Sequence, residues 1–392
     1  MRTMSFKSID KEYVANTYGR FDLEIVSGKG SLVYDINGKE YIDLATGIAV
    51  NTFGISDNEW VNAVTNQLNK VQHTSNLYYS EPCANLAKML CQGTGAKKVF
   101  FSNSGAEANE CAIKTARLWA SENKGEEYFN IITLKNSFHG RTITTLSATG
   151  QDVFHKYFNP LTDGFLYAEA NNIDSVRELV ANNKCAAIMM ELVQGEGGVM
   201  ALDKDFVEGV CEIAKENNIL VVIDEVQTGN GRSGELYAYQ AYNIAPDIVS
   251  TAKGLAGGLP LGATLFFDKT ELTLKAGLHG STFGGNPIAC AGAINILSRL
   301  DRQMLDSVKE KSRYIFEELT GSEGIKSVSG LGLMIGIETE GDVSVILSKC
   351  MEKGILPIKA KNKLRLLPAL NIPMEQLKKA INIIKETAKE NK

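Results

Sequence analysis

Asp224 and Lys253 are the two residues whose types and settings could share a chemistry. Asp224 closes the apolar run Ile219-Leu220-Val221-Val222-Ile223, and Lys253 sits in the glycine-rich segment STAKGLAGGLPLGA. The run reads as a buried strand and the second segment as a turn, which places a carboxylate at a strand end and an amine in a loop. A lysine amine can form a Schiff base with an aldehyde. A carboxylate can keep a pyridine nitrogen protonated, so that the ring withdraws electrons. That is the equipment for pyridoxal-phosphate (PLP) chemistry. Taken alone, the pair also fits a buried strand ending in a capping Asp and a solvated lysine in a loop.

Four further segments bear on the choice. In Phe100-Phe101-Ser102-Asn103-Ser104-Gly105-Ala106-Glu107-Ala108-Asn109, Ser104 and Glu107 form a capping box, and Gly105 and Ala106 leave N–H groups open at a helix start, where a phosphate fits. A plain capped helix would look the same. In Asn136-Ser137-Phe138-His139-Gly140-Arg141-Thr142, Phe138 could stack on a flat ring, and Arg141 offers a bidentate fork to a carboxylate. A turn with a core Phe and a surface Arg is the plainer reading. Glu191-Leu192-Val193-Gln194-Gly195-Glu196-Gly197-Gly198 places polar groups among glycines after an apolar strand, as a site loop or a solvated turn would. In Gly280-Ser281-Thr282-Phe283-Gly284-Gly285-Asn286-Pro287, the Thr282 hydroxyl could reach a phosphate, or the segment could simply cap the helix after Pro287. Gly330-Leu331-Gly332-Leu333-Met334-Ile335-Gly336 has the wrong spacing for a dinucleotide fingerprint and leads into a strand.

Strand–helix alternation positions these segments. Strands are expected at 98–102, 130–134, 186–190, 219–223, 248–251 and 263–267, with helices at 106–123, 173–182 and 205–217. This predicts an α/β fold, a mostly parallel sheet with helices on both faces and ligands beyond the carboxyl ends of its strands. Around Asn37-Gly38 a hairpin is expected. After residue 285 the pattern predicts a long helix over 287–320, a strand at 332–338 and a closing helix from Pro373. Residues 1–55 and 286–392 are expected to form a smaller α+β domain beside a large one at 56–285.

The 392 residues and net charge of −5 fit a globular chain of more than one core, and no basic tract invites nucleic acid. Seven cysteines are scattered without a C-x-x-C pair, and with four histidines they give no metal-ligand spacing, so no metal is expected. The first residues contain no apolar core of a secretory signal, and the longest uncharged stretch, 254–267, is too short for a bilayer. A cytoplasmic protein with reduced thiols and no membrane contact is expected.

Taken in order, SGAEANE, FHGR, DEVQTGNGR, AKGLAGGLPLGA and STFGGNP resemble the class III aminotransferases, which have the type I PLP-transferase fold. The resemblance covers nearly the whole chain, from 28–30 to 364–368. It implies PLP as cofactor, with Lys253 as the Schiff-base and proton-shuttling lysine and Asp224 against the pyridine N–H. It places Gln227 near the phenolic oxygen, Phe138 and Val226 on the two ring faces, and Gly105 and Ala106 on the phosphate. Thr282 would reach that phosphate from the other subunit of a homodimer. Arg141, Glu196, Ser281 and Arg365 would bind substrate, with Glu196 pairing to Arg365 or swinging away according to the donor.

Segments 43–51, 73–79 and 194–198 resemble the members that pass the δ-amino group of N2-acetyl-L-ornithine to 2-oxoglutarate. Gly47, where ornithine-specific relatives carry tyrosine, would leave room for the acyl group. The resemblance also admits ornithine, 4-aminobutyrate or N-succinyl-diaminopimelate as donor. Asn230 departs from the methionine or phenylalanine of many relatives, with no loss of activity expected. A nucleotide-dependent oxidoreductase would need a glycine fingerprint after an early strand, and a PLP-binding regulator a fused DNA-binding module; neither is found in the sequence.

Overall fold

A computed structural model describes residues 6–392. Its centre is a seven-stranded sheet in the order Lys98–Ser102, Gly262–Phe266, Ile248–Thr251, Leu220–Asp224, Cys185–Met190, Asn130–Leu134 and Phe165–Ala168. Gly262–Phe266 runs antiparallel to both of its neighbours, and the other pairs are parallel. The central strands are apolar without alternation and buried throughout, as helices on both faces require. The edge strand Phe165–Ala168 was not expected from the sequence. Three of its four residues, Phe165, Leu166 and Tyr167, are only partly buried, and it lacks the long apolar run of its neighbours.

Register brings the site loops to one edge. Asp224 pairs with Ser250, and Ile223 with Met190. The segments leaving these strands, at Glu191, Glu225 and Ala252, therefore emerge side by side. Ser102 pairs with Gly262 across the antiparallel strand, so the turn into the next helix opens at the same edge. That helix, Gly105–Asn123, buries Ala108, Ala112, Ala116 and Ala120, one per turn, which lets its backbone lie close to the sheet. Thr264 Oγ1 donates to the Ala108 carbonyl at 2.8 Å.

The hairpin is present as Leu32–Asp35 and Glu40–Asp43. Ile355–Leu356 pairs in parallel with Glu40–Asp43, and Ile42, Leu44 and Phe53 share a core with residues from the last hundred. A second sheet, all antiparallel, runs Ile325–Leu331, Met334–Thr339, Lys363–Leu366 and Ile358–Ala360. The single long helix expected over 287–320 is two, Pro287–Ser298 and Arg302–Leu319. Asp301 causes the break, because its side chain caps the second helix by accepting from Met304 N. The strand expected at 332–338 lies at Met334–Thr339, and the closing helix is Met374–Glu390 with Pro373 as its N-cap.

Candidate active site

The carboxyl edge of the large sheet opens into a cavity of about 430 Å3, lined by residues including Gly105, Ala106, Phe138, Arg141, Asp224, Val226, Gln227 and Lys253. Eight residues expected from the sequence are thus brought together. At one end the helix Gly105–Asn123 begins. Its first N–H groups have no acceptor one turn back within the helix and are free for an anion. Ser104 Oγ accepts from Glu107 N at 3.2 Å, and Glu107 Oε2 accepts from Asn103 N at 2.9 Å, so the box ties the helix to the strand end. Gly105 is required there, since a Cβ would stand 2.6 Å from Val226 Cγ1.

At the other end Asp224 is buried among three donors. Oδ1 accepts from Val226 N at 2.9 Å. Oδ2 accepts from Asn109 Nδ2 at 2.7 Å and lies 2.8 Å from His139 Nδ1. Donors of this kind hold the carboxylate fixed and leave it a lone pair for a further N–H. Lys253 also lines the cavity and has a left-handed backbone, φ 43°, a costly conformation for a long side chain. Burial pushes its ammonium pKa down, against the opposing pull of Glu196 and Asp224.

Glu191, also buried, accepts from Phe138 N at 2.9 Å and Gly195 N at 3.3 Å and so braces two of the loops. Burial pushes its pKa up to about 7. Arg141 is exposed at the cavity, its guanidinium 4.1 Å from the Phe154 ring centroid and 5.5 Å from that of Phe138. Beside Gln227, Arg365 Nη1 is 2.6 Å from Glu196 Oε1 and 3.2 Å from Gln227 Oε1. Arg365 is buried while Glu196 is partly exposed.

Ser281 and Thr282 lie apart from the cavity in the single chain. Ser281 Oγ accepts from Gly284 N and from Asn103 Nδ2, so it contacts a lining residue, and Thr282 is exposed. Gly47 lies in a left-handed turn with Thr46, Ile48 and Ala49, and a Cβ there would meet only ordinary contacts. Sequence reasoning assigned no role to Asn109, His139 or Glu191. Asn109 carried a signal, as an amide one helical turn beyond Gly105 on a face otherwise built of small residues. Among the described residues, no cluster of three or more His, Cys, Asp or Glu could hold a metal ion.

The cavity fits PLP on its own geometry. It is lined by a helix start with open N–H groups and no room for a Cβ, a fixed carboxylate, a lysine amine, and Phe138 and Val226, which could flank a ring. Fold and site together define a PLP-dependent aminotransferase, and the chain belongs to the class III family, whose model, described as "Aminotransferase class-III", matches residues 13–388. The acetylornithine aminotransferase of Haemophilus ducreyi is 47% identical over 392 residues, covering 100% of both chains. That of Caldanaerobacter subterraneus is 42% identical over 388 residues, covering 97% of this chain and 98% of its own. Among solved structures, N-acetylornithine aminotransferase from Stenotrophomonas maltophilia superposes with a TM-score of 0.84 at 33% identity, covering 97% of each chain. Ornithine aminotransferase from Toxoplasma gondii, a structure with partial occupancy of PLP at its active site, gives 0.94 at 31%, covering 98% of this chain and 94% of its own.

Proposed function

We propose that this chain moves the δ-amino group of N2-acetyl-L-ornithine to 2-oxoglutarate, giving N-acetyl-L-glutamate 5-semialdehyde and L-glutamate, in arginine biosynthesis. The observation that carries the reading is the Glu196–Arg365 pair beside Gln227 at the Lys253 cavity. Acetylornithine presents its δ-amine on an apolar chain, with its carboxylate far away. Glutamate presents an α-amine with a carboxylate next to it. One site for both needs a cation that can be covered and uncovered, since an unpaired buried charge is costly. Glu196 covers Arg365 for the first donor and swings away for the second. Arg141, its guanidinium against the Phe138 and Phe154 rings, receives the distal carboxylate of either with its bidentate fork.

When bound, PLP accepts the amino group of the donor and delocalises the electron pair left on carbon as a proton departs. Gly105 and Ala106 would hold its phosphate, Asp224 a proton at the pyridine nitrogen, Gln227 the phenolic oxygen, and Phe138 and Val226 the ring faces. Lys253 Nζ would take the proton from the carbon bearing the reacting amine and pass it to the cofactor's aldehyde-derived carbon, so that the amino group stays behind with the cofactor. Burial raises the share of this amine that is unprotonated near neutral pH, as a base must be. Both donors use one cavity, so ping-pong kinetics are expected.

The protein is proposed to be a cytoplasmic homodimer in which Thr282 reaches the partner's phosphate site with Ser281 beside it. Exposed Leu77, Tyr78, Tyr79 and Phe283 near that loop support a covered surface. Among the described residues no helix is long and apolar enough to cross a membrane. Residues 1–55 with 286–392 are proposed as the small domain and 56–285 as the large one; the core shared by Ile42, Leu44 and Phe53 with the C-terminal elements supports this.

The test is a donor panel of acetylornithine, ornithine, 4-aminobutyrate and N-succinyl-diaminopimelate. Acetylornithine should give the highest kcat/KM, and a preference for free ornithine would overturn the substrate. Borohydride reduction and peptide mapping should place the cofactor label on Lys253, and Lys253→Ala should fold yet not turn over. A label on any other lysine would overturn the assignment.

A further inference from the structure

Asn230 is buried, 2% exposed, and follows Asp224 by six positions in the chain. Its Nδ2 donates to Thr251 Oγ1 at 3.0 Å and to the Ala252 carbonyl at 3.1 Å. From the N-terminal segment, the buried Thr52 hydroxyl donates to the Gly254 carbonyl at 2.7 Å. The carbonyls just before and just after Lys253 are therefore each tied to a side chain, and the residue between them is the one held at φ 43°. A lysine does not rest there by preference, so neighbouring contacts must hold it. Thr52 is itself anchored, since its own carbonyl accepts from Leu370 N at 2.9 Å.

Asn230 is matched to this task in two ways. Its own backbone is left-handed, φ 57°, which asparagine tolerates better than most residues with a side chain. Its Oδ1 is buried without a partner, an unfavourable state for an acceptor, so the worth of the amide lies on its donor side. An apolar residue would avoid that orphan and lose both bonds to the lysine segment.

We propose that Asn230 and Thr52 are positioning residues that bracket Lys253, fixing the turn from which its Nζ reaches the reacting carbon. The proposal rests on Lys253 being the reacting amine. Released from the bracket, the turn relaxes out of the left-handed region and the side chain gains water. Glu196, Asp224, Glu191 and Arg365 are the charged groups that face Nζ, and none of them is altered by changing the bracket.

The test uses Asn230→Gly, which keeps the left-handed backbone open and removes the side chain with its amide, and Thr52→Val with Thr52→Ser as the conservative rescue. One readout needs no bound cofactor: reductive methylation of Lys253 in the cofactor-free protein as a function of pH, followed by peptide mass. Burial is what lowers this amine's pKa, so Asn230→Gly and Thr52→Val should move the midpoint upward by about one unit, with Thr52→Ser at the wild-type value. In the loaded enzyme kcat should fall roughly tenfold, with KM for acetylornithine within about twofold, as expected for a misplaced reacting group. A wild-type midpoint and kcat in both variants, even with a lowered melting temperature, would overturn the bracket and leave only a structural role. Should Asn230→Gly fail to fold, the Thr52→Val and Thr52→Ser pair decides by the same readouts. Borohydride mapping of the wild type separates the two failures: a label on Lys253 with unchanged variants overturns the bracket alone, and a label elsewhere overturns the functional reading beneath it.

Discussion

Glu225 follows Asp224 in the chain and is as deeply buried, yet it serves the scaffold instead of the cavity. It accepts from Thr228 Oγ1 at 2.5 Å and from Tyr239 N at 2.8 Å, and burial pushes its pKa from an ordinary 4.5 up to about 7. The folded protein therefore holds this proton more tightly than the unfolded chain. That preference stabilises the fold at low pH and is lost as pH rises from about 4.5 through about 7, because the ionised carboxylate must then be buried. Glu225→Gln keeps an acceptor for Tyr239 N and removes the titration. The wild type should lose on the order of 3 kcal/mol across that window that the variant keeps. Urea midpoints between pH 5 and 8, at one cofactor concentration, would reveal it, and parallel curves would refute it. Glu196 makes the complementary case for charge at the cavity. Glu196→Ala should slow the acetylornithine half-reaction, by about tenfold or more, while sparing the glutamate half-reaction, because only the first needs Arg365 covered. Single-turnover absorbance with each donor measures both, and equal losses would eliminate the switch.

At the scale of elements, the start of the helix Gly105–Asn123 is where backbone and cofactor would meet. Its position depends on Gly105, whose hydrogen faces Val226 at a distance no Cβ could occupy. Gly105→Ala should push Val226 and the helix start apart and weaken PLP binding by roughly ten- to a hundredfold, while Gly105→Ala with Val226→Ala should recover part of the loss. Equilibrium dialysis of the cofactor distinguishes this from a general loss of fold. Local rules made this element legible in the sequence: an S-x-x-E box after an apolar strand. The break between Pro287–Ser298 and Arg302–Leu319 was less legible. Apolar periodicity continues through it, and only the capping role of Asp301, a polar residue that also suits a helix surface, marks the stop. The edge strand Phe165–Ala168 escaped because half-exposed residues carry no strong period.

At the scale of the molecule, two cavity ends come from one sheet edge, but Arg365 comes from a strand of the other sheet and Thr282 is left outside. A complete site is therefore expected only in a dimer, with the apolar surface at Leu77, Tyr78, Tyr79 and Phe283 covered. Tyr78→Asp with Tyr79→Asp should give monomers in sedimentation equilibrium and lower the affinity for PLP by tenfold or more, the order of a lost charge-assisted phosphate contact. A monomer with full activity would contradict the shared site.

The sequence by itself determined the positions of Asp224 and Lys253, since a strand end and a glycine-rich turn are local features that order in the chain writes directly. It also determined the capped helix start at Gly105 and the hairpin at Asn37-Gly38. Tertiary structure alone decided what holds these groups. His139 meets Asp224 across 85 residues of chain, and Glu196 meets Arg365 across 169. No short-range pattern encodes such contacts, because they follow from which strands become neighbours and in what register. The same holds for Asn230. In the sequence it is an exception within a motif, and only the packed lysine turn reveals the two bonds, to the Thr251 hydroxyl and the Ala252 carbonyl, that its amide supplies and an apolar residue could not.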